Sequence, residues 1–148
     1  MNLLLKTPVS GNYQSVLAQF DLALLKQLTP PGADIEILRF DGSHKGDEVH
    51  IRVKLFGVVK QLWEVSITEE EDNGKEAWFT DEGRVIPSPL KTWKHRHAVA
   101  DAGDHSVIID DITYSTGSGI LDRLIYPVMY AQFAGRAPIY QRIFGKPE

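Results

Sequence analysis

The chain has 148 residues, no cysteine and a formal net charge of −4. The missing cysteine excludes a disulfide framework, a thiolate nucleophile and a cysteine-based metal site. The lysines and arginines are scattered and form no basic stripe, which argues against nucleic acid as a partner. An apolar fraction of 43% suits one globular domain spanning 1–148. No run approaches the roughly 18 apolar residues that cross a bilayer, so no stable membrane insertion is expected, and a cytoplasmic location suits a cysteine-free chain.

Met1 to Lys6 reads as an opening strand, because its apolar run is too short for a signal peptide and Pro8 follows closely. Gly11 and Asn12 then break the chain, with Asn12 as an N-cap. Tyr13, Val16, Leu17, Phe20, Leu24, Leu25 and Leu28 recur at helical spacing, and Asp21 can cap a second short helix. Thr29-Pro30-Pro31-Gly32 ends the helical region, since proline drives its predecessor out of the α conformation. Strands dominate from there. Ile35 to Phe40 forms one, Gly42 to Gly46 a turn, and Val49, Ile51, Val53 and Leu55 alternate with His50, Arg52 and Lys54, which places His50 toward solvent. Leu62 to Thr68 sets Trp63, Val65 and Ile67 on one face, and Asn73-Gly74 is a hairpin turn leading to Ala77-Trp78-Phe79-Thr80. A strict two-residue closure there sets Thr80 opposite Ile67, whereas a longer loop changes the partner.

Pro87 and Pro89 mark a bend before a strand that begins near Trp93, and Val107 to Tyr114 is the last strand. With a turn centred on Gly103 and Asp104, the register sets Trp93 opposite Tyr114, His95 opposite Ile112, and His97 opposite Asp110 on one face. Arg96 then meets Asp111 on the other, as an expected ion pair. Gly117-Ser118-Gly119 opens a long C-terminal helix with kinks expected at Pro127 and Pro138. Leu121, Leu124, Ile125, Val128, Gly135 and Ile139 fall on one side, the natural face toward the sheet or a pocket. Tyr126, Tyr130, Phe133, Ala137, Tyr140 and Phe144 fall on the other, a stripe that wants core packing or a subunit interface. The order predicts a two-layer α+β fold, a curved antiparallel sheet of about six to seven strands with two short helices after the first strand and a long helix across it.

Five segments in order resemble the SRPBCC superfamily, closest to its small bacterial ligand-binding domains related to START domains and polyketide cyclases. They are Leu28-Thr29-Pro30-Pro31, Gly46-Asp47-x-Val49, Trp93-x-His95-x-His97, Asp110-x-Ile112-x-Tyr114 followed by Gly117-x-Gly119-x-Leu121, and Phe133-x-x-Arg136. The resemblance spans nearly the whole chain. It implies a helix-grip fold, in which the curved sheet wraps the C-terminal helix around a deep hydrophobic cavity, and functions ranging from lipid and hormone carriage to cyclase and aromatase chemistry.

The expected ligand wall comprises Trp93, His95, His97, Asp110, Ile112 and Tyr114 from the last hairpin, Val49, Ile51, Val53 and Trp63 from the central strands, and Leu124, Ile125 and Val128 from the helix. Within it, a His97–Asp110 hydrogen bond is expected to orient the polar end of a hydrophobic or aromatic ligand. The same pair, with His95, supplies the candidate catalytic groups of an alternative cyclase, dehydratase or hydrolase. His-x-His with Asp110 has the makings of a metal site, but no third strong ligand is evident, so neither a metal nor a cofactor is expected. Arg136 is expected in a surface ion pair. A homodimer through the aromatic face of the helix is the third possibility.

Overall fold

Alternating apolar and polar residues build seven strands into one antiparallel sheet, with strand order β1-β7-β6-β5-β4-β3-β2. A computed structural model describes all 148 residues. The elements are β1 (Asn2–Val9), α1 (Tyr13–Leu17), α2 (Leu22–Gln27), β2 (Ala33–Phe40), β3 (Glu48–Leu55), β4 (Val59–Asp72), β5 (Glu76–Val85), β6 (Thr92–Asp101), β7 (Ser106–Ser115), α3 (Gly119–Ala134) and α4 (Arg136–Phe144). β1 runs through Pro8 because it is an edge strand, where a missing N–H costs no ladder bond on the open side. Asn12 and Asp21 cap the two short helices as expected: Asn12 Oδ1 accepts from Gln14 N at 2.9 Å, and Asp21 Oδ1 from Leu24 N at 3.0 Å.

The β6–β7 register is the expected one, with Trp93 opposite Tyr114, His95 opposite Ile112 and His97 opposite Asp110. Arg96 does sit opposite Asp111, yet the two form no ion pair. Arg96 instead turns toward β5, where it donates to Glu76 at 2.9 Å and lies 4.3 Å above the Trp78 ring, and Asp111 accepts from Asn2 of the edge strand. The β4–β5 hairpin closes through a longer loop, and a register shift between Ile67 and Glu69 changes the pairing again. Thr80 faces Glu69, and Asp81 faces Ile67.

The C-terminal helix is interrupted at Gly135 instead of at its prolines. Pro127 lies inside α3, and Pro138 falls in the first turn of α4, where an absent N–H breaks no helical bond. Ser118 caps α3, and Asp122 fixes its entry by accepting from both the backbone N–H and the hydroxyl of Thr116, at 2.7 and 2.6 Å. The two faces of the helix share the inward role: Ile125 and Val128 of the aliphatic side border the space between helix and sheet, and the aromatic side supplies the sealed contacts. Phe133 and Tyr140 of the aromatic stripe are buried, whereas Leu124 and Val128 of the aliphatic side are each 69% exposed. The larger rings bury more area, and Tyr140 also gains a hydrogen bond to Asp110, so they win the sealed positions.

Two apolar clusters result. One joins Val9, Val16, Phe20, Phe79, Val99, Ile108 and Tyr140, and the other Leu3, Trp93, Ile112, Tyr114 and Phe133. Ile112 is fully buried in the second and Ile120 is 75% exposed at the start of α3. Ile112→Ala is therefore expected to cost about 2–5 kcal/mol in urea denaturation, and Ile120→Ala within about 0.5 kcal/mol. Equal midpoints for the two variants would contradict this packing.

Candidate functional site

Between the two apolar clusters runs a belt of buried polar groups. His95 and His97 lie side by side between Trp93 and Val99 on the inner face of β6, and Asp81 and Asp110 occupy the inner faces of the flanking strands β5 and β7. Each histidine takes the carboxylate diagonal to it, not the residue directly opposite. His95 Nε2 lies 2.8 Å from Asp110 Oδ1, and His97 Nε2 lies 2.6 Å from Asp81 Oδ2. The expected His97–Asp110 bond is thus replaced by two separate pairs. Phe79, directly across from His97, stacks on its ring at 4.5 Å. The two imidazoles stack on each other with centroids 3.6 Å apart.

The outer partners are fixed as well. Asp81 Oδ1 accepts from Trp93 Nε1 at 3.1 Å, and Asp110 accepts from Tyr140 OH at 3.3 Å and from Arg136 at 3.5 Å. Arg136 is therefore no surface residue. Its guanidinium lies 4.5 Å above the Phe133 ring, beside the buried carboxylate. Burial opposes ionisation of Asp110, but the His95 hydrogen bond and the Arg136 charge outweigh it and hold the carboxyl below its usual range. Asp81 is treated alike: burial raises it, and the His97 hydrogen bond, electrostatic attraction from the two histidines and the Trp93 hydrogen bond more than compensate. Burial first, then the nearness of His97, pushes His95 down to about 4 against the pull of Asp110, so its imidazole is neutral. Nε2 then carries the proton shared with Asp110, and Nδ1 keeps a lone pair.

One side of the belt opens into a cavity of about 640 Å3 between the sheet and α3, with a largely apolar lining. Of the expected ligand wall, Val49, Ile51, Val53, Trp63, Trp93, His95, His97, Ile125 and Val128 line it. Ile112, Tyr114, Asp110 and Leu124 do not. Ile112 and Tyr114 are sealed in the core, where the Tyr114 hydroxyl donates to the Asp122 carbonyl at 2.8 Å, Asp110 lies behind His95, and Leu124 faces outward. Asp81, Arg136, Met129 and the Thr29–Pro31 segment join the lining. Asp81 was within reach of the sequence: continuing the alternation Ala77, Phe79 past Thr80 puts it on the inner face.

No protein-family model matches the chain, and no curated protein sequence does. Among solved structures, protein CV1439 from Chromobacterium violaceum superposes with a TM-score of 0.74 at 16% identity, over 99% of this chain and 98% of that one. Protein Ms6760 from Mycobacterium smegmatis gives 0.69 at 12% identity over 99% and 92%. Ginseng major latex-like protein 151 from Panax ginseng gives 0.69 at 13% identity over 99% and 98%. The fold is the helix-grip fold of SRPBCC proteins. The cavity occupies the space between sheet and helix in that fold, and no helix is long and apolar enough to cross a membrane.

Neutral His95 ties stability to pH. Its folded value, about 4, lies below the ordinary 6.5, so as pH falls the unfolded chain takes up the proton first. The contribution of His95 is complete above about pH 6.5 and drains between 6.5 and about 4, by on the order of 3 kcal/mol. In metal-free buffer the urea midpoint is expected to fall across that window, and to fall less in His95→Gln. A midpoint constant across the window would contradict the buried neutral imidazole.

Proposed function

We propose that the chain, folding as one domain in the cytoplasm, binds a hydrophobic or aromatic small molecule or lipid in the cavity between sheet and helix. The observation that supports this most is the form of the cavity. At about 640 Å3 it falls in the size range of small-molecule sites, and its apolar walls end at a few fixed polar groups, Asp81, His97 and Arg136. An apolar body fills the space beside Ile51, Val65 and Met129, and one polar end meets a guanidinium that donates and a carboxylate that accepts.

A second reading has one observation in its favour. The 2.6 Å His97–Asp81 pair borders the cavity, the arrangement of an oriented general base, and suits cyclase, dehydratase or hydrolase chemistry on the bound molecule. Asp81 takes the orienting part that the sequence assigned to Asp110.

The amphiphilic fluorophore 8-anilinonaphthalene-1-sulfonate combines aromatic rings with an anionic end and serves as the probe. Saturable one-to-one fluorescence enhancement by the folded protein is expected. An Ile51→Trp, Val65→Phe double variant, which fills the cavity, should weaken it on the order of tenfold or more while the cooperative thermal transition survives. No saturable signal, or equal affinity in the filled variant, would sink the proposal.

A further inference from the structure

We infer that Asp81, His95 and His97 form a binding site for a divalent transition metal of the Zn2+ class, with an open coordination position facing the cavity. The sequence stopped short of such a site for want of a third ligand, and β5 supplies it. Ligand atoms of the three residues lie within 4.8 Å of one another. The Asp81 Oδ2 atom is 2.6 Å from His97 Nε2 and 4.0 Å from His95 Nδ1. Tetrahedral zinc with bonds of about 2.0–2.1 Å holds its donors about 3.3 Å apart. The two distances bracket that value, and side-chain rotations of under ~1 Å bring the donors into place.

Charge and hydrogen bonding point the same way. Asp110 and Arg136 offset one another, whereas Asp81 is a buried carboxylate whose hydrogen-bond donors are the Trp93 indole and His97. With Nε2 engaged by Asp110, His95 Nδ1 is the ring nitrogen left to face Asp81, 4.0 Å from its Oδ2 atom. The outer contacts are those that orient metal ligands: His95 Nε2 on Asp110, and Asp81 Oδ1 on Trp93. His97 Nδ1 is buried and has no hydrogen-bond partner, so one ligand lacks outer support and the affinity falls short of a fully braced zinc site. Two nitrogens, one oxygen and a free position facing the cavity match the coordination of a metal that acts on a substrate, as opposed to a closed structural site. The site stands on these residues and does not depend on which organic molecule enters the cavity.

The test titrates chelator-treated full-length protein with Co2+ and then Zn2+, with no organic ligand added. One equivalent of Co2+ is expected to give the intense visible absorption of four-coordinate cobalt, and Zn2+ to displace it. Asp81→Asn and His97→Gln should each weaken binding on the order of tenfold or more. His44, His50 and His105 sit beside carboxylates elsewhere on the chain, and the triple variant His44→Gln, His50→Gln, His105→Gln should bind as the parent does. If a site variant fails to fold, the imidazole resonances of the cobalt-loaded parent decide: His95 and His97 must show paramagnetic shifts. No stoichiometric binding, or binding that follows the three other histidines, overturns the site. Probe binding without metal binding overturns the metal site alone and leaves the cavity proposal standing.

Discussion

The constraint on which the structure turns is the need to keep two carboxylates ionised inside the sheet–helix interface. Asp81 and Asp110 are each more than nine-tenths buried, where an unpaired charge costs several kcal/mol. The chain meets that need by surrounding them: His95, Arg136 and Tyr140 converge on Asp110, and His97 and Trp93 on Asp81. Such networks contribute little net stability compared with apolar packing, but losing one member strands a buried charge. They therefore dictate where the neighbouring elements must sit.

That demand reaches across the fold. β6 contributes both imidazoles, β5 and β7 one carboxylate each, and α4 begins at Arg136 and carries Tyr140. The interruption at Gly135 lets the helix re-aim, placing Arg136 over Phe133 and the Tyr140 hydroxyl on Asp110. Tyr140 also stacks on Phe20, which ties the short helical region to the belt. With the sheet and helix held together at this point, the space beyond it stays open toward β2, β3 and β4, and the belt becomes the polar end of an otherwise apolar cavity. A single cluster thus joins the two cores, anchors the C-terminal helix and supplies the polar chemistry of the site.

Much of this was legible in the residues. The β6–β7 register followed from alternation and a short turn, because a one-residue slip would have turned Trp93, His95 and Ile112 outward. The caps at Asn12 and Asp21 were equally local. Side-chain partnership was harder to read, since register fixes which Cα atoms face each other while twist lets side chains choose the diagonal. His97 consequently pairs with Asp81. Asp81 could be reached by continuing the alternation of Ala77 and Phe79, whereas Arg136 was hidden by the general preference of arginine for the surface. Helical periodicity showed two apolar faces without ranking them; the ranking came from Tyr140 and Phe133, whose rings fill the gap beside the belt.

The native mass spectrum of freshly purified protein, compared with the spectrum of its denatured chain and with the extracted small molecules, tests the central claim most directly. A stoichiometric adduct lost on denaturation, whose extract is an apolar molecule with one polar end, is the predicted result. A bare chain mass, together with failure of any lipophilic compound from a cell extract to form such an adduct, would contradict a cavity built to hold one.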